Sequence, residues 1–226
     1  MEKHIDIELR SLKESLADMW QMVGKQIDKS SQALLTCNKA LAREVIAREK
    51  MCNAMELKID SQCENFIALY NPVAIDLRLV LAILKINNNL ERIADFAEGI
   101  AIFVLKNMSE ELEKNDLENL RLEEMLKQVK NMYALTKEAL EEEDTEKASQ
   151  VFGIDNLVDE INHNSVEVLS KMIEKRTDKT QEYLYLHSVI RKLERIGDRC
   201  DNISEEIVFY LDAKVLKHSK QNKDAV

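Results

Sequence analysis

A chain of 226 residues with a formal net charge of −10 is a poor partner for nucleic acid or an anionic membrane, which both reward basic surface. Four glycines, one proline and 5% aromatic residues are too few to punctuate a β protein, whereas abundant Leu, Ile, Ala, Glu and Lys favour long helices. The most apolar stretch, Leu79 to Ile86, is interrupted by Lys85 and is far short of the roughly 20 residues of a membrane span, so no membrane insertion is expected. The first residues lack the regions of a secretory signal, which predicts a cytoplasmic protein. Cys37, Cys52, Cys63 and Cys200 show no CxxC spacing and fall in helical patterns, as reduced core thiols would.

Leu9, Leu12, Leu16, Met19 and Val23 step at the helical period and predict a first helix from about Ile5 to Thr36. Asn38 is placed to cap a second, with Leu41, Val45, Cys52, Met55, Ile59 and Phe66 on its buried face. Asn71-Pro72 breaks that helix, and Pro72 is expected in the first turn of a third, whose core face reads Leu77, Leu81, Leu84, Leu90, Ile93, Ala97, Ile100 and Val104. Met108 to Asn115, polar and acidic, reads as the linker. A fourth helix carries Leu122, Met125, Val129, Met132 and Leu135 and ends near Glu141-Glu142-Glu143. Asp144 caps a fifth, with Val151, Val158, Ile161, Ser165 and Leu169; the Thr177-Asp178 turn starts a sixth, with Leu186, Val189, Leu193, Ile196, Cys200, Ile203 and Ile207.

One hexapeptide occurs twice. Leu90-Glu91-Arg92-Ile93-Ala94-Asp95 returns 103 positions later as Leu193-Glu194-Arg195-Ile196-Gly197-Asp198. The caps Asn38 and Asp144 are 106 apart, as are Ala42 and Ala148, and Val45 and Val151, so the second half should have the shorter turn before its last helix. A shift that is constant within helices and changes only at a turn is what duplication predicts. The expected fold is all-α: two tandem antiparallel three-helix bundles, residues 1–108 and 115–226, with helices of about 30 residues, roughly 45 Å long.

The duplicated element carries the chemistry. Glu91 and Asp95, like Glu194 and Asp198, are four apart and share a helix face, which the core positions put on the outer flank. On the fifth helix Asp155 and Asp159 repeat that spacing, and their counterparts on the second are Glu49 and Asn53. Antiparallel neighbours about 10 Å apart can bring two such rows together, and clustered oxygens favour a hard or borderline cation. The same spacing also suits an ordinary solvated helix face. Glu160-Ile161-Asn162-His163 has the Glu-x-x-His spacing of di-iron bundles but occurs once where two are needed. Arg78, Arg92 and Arg195 could meet an anion, although flanking acids favour ion pairing. His187 reads as an interfacial residue, and His4 and His218 as solvated ends. No Gly-rich phosphate loop, nucleophile elbow or nucleophile–base pair is present, so no catalytic residue is assigned.

Ala68-Leu69-Tyr70-Asn71-Pro72-Val73-Ala74-Ile75-Asp76-Leu77-Arg78, followed by the two hexapeptides and Asn202-Ile203, resembles the signature of the PhoU family of phosphate-transport accessory proteins. Asp6-Ile7-Glu8-Leu9 resembles that family's first helix, and Ala42-Arg43-Glu44-Val45-Ile46-Ala47-Arg48-Glu49 with Asn53 its second. The resemblance implies a non-enzymatic negative regulator of the phosphate-starvation response. It would be an adaptor between the ATPase subunit of the phosphate ABC transporter and a phosphate sensor histidine kinase. It also implies divalent or trivalent metal ions, iron or zinc foremost and magnesium or manganese next, on Glu91, Asp95, Asp155, Asp159, Glu194 and Asp198, with Glu49 and Asn53 facing them. A homodimer is compatible with the long exposed flanks. The alternatives are a ferritin-like carboxylate-bridged metalloenzyme and an accessory protein of a non-ABC phosphate transporter. Gly99 stands where the family usually has Asn, whereas the second copy keeps Asn202. Asn53 makes the first site less anionic, so the second is expected to hold metal more tightly.

Overall fold

The computed structural model describes residues 4–213, and every regular element in that range is helical. The first three helices are α1 (His4–Leu35), α2 (Lys39–Tyr70) and α3 (Ala74–Asn107). After them come a short α4 (Lys114–Asn119), then α5 (Leu122–Glu141), α6 (Thr145–Lys175) and α7 (Thr180–Asp212). Helices α1, α2 and α3 pack on one another as the first bundle, and α5, α6 and α7 as the second; α3 and α7 face each other across the seam. His218 lies outside the described residues.

The boundaries follow from local chemistry. Asn38 accepts from the backbone N–H of Ala40 and Leu41, and Asp144 accepts from those of Glu146 and Lys147, so both caps act as the repeat demands. Asn71 ends α2 in the left-handed region at φ 45°, which Asn tolerates better than most residues. Pro72 does not enter the next helix: α3 begins at Ala74 behind an extended Val73 that offers no side-chain cap. In the second half Arg176 alone separates α6 from a 3-10 turn, Thr177–Lys179, that leads into α7, so helical structure resumes after one residue where the first half takes three. Lys39, in the first turn of α2, donates to the carbonyls of Val104, Leu105 and Met108 and thereby serves the unpaired C-terminal end of α3.

Three further expectations are corrected. The linker is helical from Lys114, and Arg121 in the left-handed region (φ 50°) separates α4 from α5, so α5 has 20 residues rather than about 30. Cys37 sits in the α1–α2 turn at φ 46° rather than in a helix, while Cys52, Cys63 and Cys200 are buried and free as expected. The early core face of α3 consists of Leu79, Val80 and Ile83; Leu81 is exposed, and Leu77 and Leu84 are half-buried. From Leu79 to Leu84 every residue is apolar, so the sequence has no periodic face there, and packing against α1, α2 and α7 covers its sides unequally.

One continuous apolar core runs through both bundles, with Trp20, Ile83, Leu90, Ile93, Leu122 and Tyr183 among its largest fully buried members. The Tyr133 hydroxyl of α5 donates to the Trp20 carbonyl of α1 at 2.6 Å and ties the halves together away from the seam. Along the seam α3 and α7 run antiparallel, and their polar ties follow that register. Arg78 Nε donates to the Tyr210 carbonyl (3.3 Å), Lys85 Nζ meets Glu206 Oε2 (2.8 Å), and Arg199 donates to Asn89 Oδ1 (3.4 Å).

Candidate metal centre

The structure sets the two expected rows of each half on neighbouring antiparallel helices. Glu49 and Asn53 lie on α2 opposite Glu91 and Asp95 on α3, and Asp155 and Asp159 lie on α6 opposite Glu194 and Asp198 on α7. The rows are not wholly on the outer flank. The Glu91 side chain is 14% exposed and Asp155 is fully buried, whereas Asp159 is exposed.

Electrostatic neighbours reveal the register. Burial raises the Glu91 carboxyl above the ordinary carboxylate range, and Asp95, Glu56 and Glu49 push it further against the opposing pull of Arg92. Burial also raises Glu98, with Glu49 and then Asp95 adding to the shift. Burial followed by Asp60 raises Glu56, with Asp95 contributing. Glu49 therefore stands near Glu98, and Glu56 near Glu91, as antiparallel helices require. In the second half burial and then Asp198 raise Glu194, with Asp159 and Asp155 adding to the shift. The buried Cys200 thiol, raised chiefly by desolvation, feels both Asp201 and Asp155.

Each row thus extends one position beyond the sequence reading. Glu49-Asn53-Glu56 faces Glu91-Asp95-Glu98, and Asp155-Asp159-Asn162 faces Glu194-Asp198-Asp201, all at i, i+4, i+7. Glu56, Glu98, Asn162 and Asp201 were missed because the hexapeptide ends before the seventh position, although two helical turns bring it back to the same stripe. With them included, each half holds five carboxylates and one amide. The difference in charge from which a tighter second site was expected disappears.

These residues suit a hard cation. Asn53 Oδ1, Asn162 Oδ1 and Glu91 Oε2 are buried oxygens without a hydrogen bond, although Arg92 Nε stands 3.5 Å from the last. Buried acceptors in a crowd of carboxylates are satisfied by a metal ion as well as by a donor. The described side chains do not bring three or more Asp, Glu, His or Cys together at metal-ligating spacing, so a bound ion would draw the rows inward. Gly197 permits the close approach of α6 to α7: a Cβ there would meet Asp155 Oδ1 at 3.1 Å and Met132 Cε at 3.4 Å.

The other sequence candidates separate. Arg92 pairs with Glu91 and Asp95, and Arg78 is taken by the Tyr210 carbonyl. Arg195 lies over the Phe96 ring at 5.9 Å. Glu160 accepts from Arg121 at 2.8 Å and His163 is exposed. His187 is half-buried with Nδ1 3.4 Å from Ser165 Oγ; burial and then Arg191 hold its pKa below the ordinary value. No described helix is long and apolar enough to cross a membrane.

Comparison with known proteins gives the same twofold pattern. The family model described as the PhoU domain matches residues 16–104 and again 122–207. The phosphate-specific transport system accessory protein PhoU homolog 1 of Thermotoga maritima is 30% identical over 221 residues, covering 95% of this chain and 91% of that protein. The PhoU accessory protein of Escherichia coli K12 is 31% identical over 222 residues, covering 96% and 91%. The crystal structure of PhoU from Pseudomonas aeruginosa superposes with a TM-score of 0.87 at 27% identity, covering 93% of this chain and all of that one. The phosphate transport system regulatory protein PhoU from Streptococcus pneumoniae superposes with a TM-score of 0.81 at 26% identity, covering 94% and 99%. Two repeats matched in order, in sequence and in fold, over nearly the whole chain assign this protein to the PhoU family.

Proposed function

We propose that this protein is an accessory regulator of phosphate transport, acting through protein contacts rather than catalysis. The observation that carries the reading is the full-length agreement with relatives named as phosphate-specific transport system accessory proteins, with both repeats aligned. In this reading it links the ATPase subunit of a phosphate ABC transporter to a phosphate sensor histidine kinase in the cytoplasm, and restrains the starvation response when phosphate is plentiful. The three free thiols in the core fit that setting: burial pushes Cys52 up to about 11 and Cys63 up to about 12, and raises Cys200 as well, which leaves them unreactive.

Metal binding belongs to the same proposal. Glu49, Asn53, Glu91 and Asp95 would hold a divalent or trivalent cation in the first half, and Asp155, Asp159, Glu194 and Asp198 in the second; Glu56, Glu98, Asn162 and Asp201 extend the rows. The ion would neutralise like charges and draw α2 to α3 and α6 to α7, stiffening the surface offered to partners. A ferritin-like oxidase receives no support from Glu160, which is engaged by Arg121, or from the exposed His163.

The test is a pull-down of the transporter ATPase subunit and the kinase from cells grown at high and low phosphate. Retention of both partners, with a phosphate-dependent balance, is expected. Indifference to both would sink the adaptor reading.

A further inference from the structure

On the α3–α7 seam, beside the carboxylate rows, a cavity of about 230 Å³ is lined by Phe96, Leu184, His187, Ser188, Arg191, Lys192 and Arg195. Six of these seven come from successive turns of α7. Three are basic, although burial and then Arg195 and Arg191 hold Lys192 below the ordinary lysine range, and no carboxylate lines the cavity, in a protein whose net charge is −10. Arg195 feels the neighbouring Glu194 carboxylate, but its guanidinium and the Lys192 ammonium are both held at the cavity. Arg195 rests on the face of Phe96, and Lys192 Nζ donates to Ser188 Oγ at 2.8 Å.

The repeat shows that this arrangement belongs to one half. Moving back 103 positions from Arg191, Lys192 and Arg195 reaches Asn88, Asn89 and Arg92, and Arg92 is occupied by Glu91 and Asp95. The same shift relates Gly99 to Asn202, and Gly99 is where the Lys192 stem crosses α3. A Cβ on Gly99 would stand 2.4 Å from Lys192 Cε and 2.9 Å from its Cδ. The missing side chain at position 99 and the lysine at position 192 are therefore one feature. The glycine gives the lysine its seat, and the lysine directs its ammonium towards Ser188 inside the cavity.

We infer that this pocket binds a phosphate-class oxyanion, with Lys192 and Arg195 as its principal charges, Arg191 at the rim and the Ser188 hydroxyl as a neutral donor. A guanidinium offers paired N–H groups to a tetrahedral anion, and an ammonium adds a compact charge. The site stands on this chemistry alone and does not depend on the adaptor reading or on metal in the carboxylate rows.

The test is titration of the full chain with inorganic phosphate by calorimetry, in EDTA so that no cation captures the anion. Saturable binding is expected, and Lys192→Gln with Arg195→Gln should weaken it by about tenfold or more, the scale of one lost charge-assisted hydrogen bond. Gly99→Ala should weaken it severalfold without lowering the melting temperature, because a flexible lysine stem can move aside while the helix gains a better former. Unchanged affinity in Gly99→Ala would overturn the seat assigned to Lys192. Phosphatidylglycerol vesicles form a second arm. Co-sedimentation lost in the double variant, with no response to free phosphate, supports the oxyanion chemistry with a lipid headgroup as its source. Binding of neither, or binding that the double variant leaves intact, overturns the proposal.

Discussion

Asp155 Oδ1 on α6 lies 3.1 Å from where a Cβ on Gly197 of α7 would stand, so a fully buried carboxylate of the second row occupies space that only glycine leaves open. The first copy has Ala94 at the equivalent position, itself fully buried, and Glu49 opposite at half exposure. The small-for-small exchange inside the repeated hexapeptide thus reflects which carboxylate lies deeper.

Gly197→Ala should therefore lower stability. Helix propensity favours alanine by about 1 kcal/mol, but crowding a close-packed site costs about 1–3 kcal/mol. Asp155 and Met132 are both fully buried and have little room to yield, so crowding wins by about 1 kcal/mol. Gly153→Ala on exposed α6 surface, with nothing within 4 Å, should instead stabilise by about 0.5–1 kcal/mol. Denaturant unfolding of the two variants measures both signs.

Tyr133→Phe should cost about 1 kcal/mol, the usual worth of a buried neutral hydrogen bond, since it removes only the donor to the Trp20 carbonyl. Because one apolar core runs through both bundles, the transitions seen by Trp20 fluorescence and by circular dichroism should stay coincident and move together to lower denaturant. Coincident transitions at wild-type stability would contradict this.

The carboxylate rows give the metal-free protein a distinctive pH dependence. Burial, and then Asp95 or Asp198, raises Glu91 and Glu194 above 4.5, so the native state holds these protons more tightly than the unfolded chain does. Their contribution is fully present below 4.5 and is lost as pH rises through the elevated native values. Glu44, Glu113, Glu124 and Asp178 are lowered by basic partners and have the opposite sign, but all are open to solvent screening, Glu44 the least, and their weight is small. As pH falls from neutral towards 4.5, wild type should therefore gain melting temperature relative to Glu91→Gln/Glu194→Gln in EDTA. Parallel profiles for the two proteins would contradict the assignment.

With five carboxylates in each half, Glu91→Gln/Asp95→Asn and Glu194→Gln/Asp198→Asn should each remove a comparable share of bound manganese or zinc. Equilibrium dialysis with metal analysis measures this. Retention of wild-type loading by both double variants would exclude the rows as the site.

Much of this was legible in the sequence because duplication printed it twice. Asn38 and Asp144 announced the caps, and a shift that changed only before the last helix announced the turn. Glu91, Asp95, Glu194 and Asp198 announced a shared face. Position 56 could not be joined to position 91, nor 98 to 49, until α2 and α3 were set side by side, since neighbouring helices rather than spacing create those pairs. Leu81 and Leu84 misled because the all-apolar run from Leu79 to Leu84 has no period to read. Lys192 and Gly99 are 93 positions apart, and only the seam makes them neighbours.

If, as proposed, this protein restrains a phosphate-responsive system, deleting its gene in its own host will release that system. In phosphate-replete medium, a phosphate-starvation reporter should switch on in the deletion strain and phosphate uptake should rise, with both restored by the wild-type gene. A reporter that stays silent, with uptake unchanged, would contradict the account.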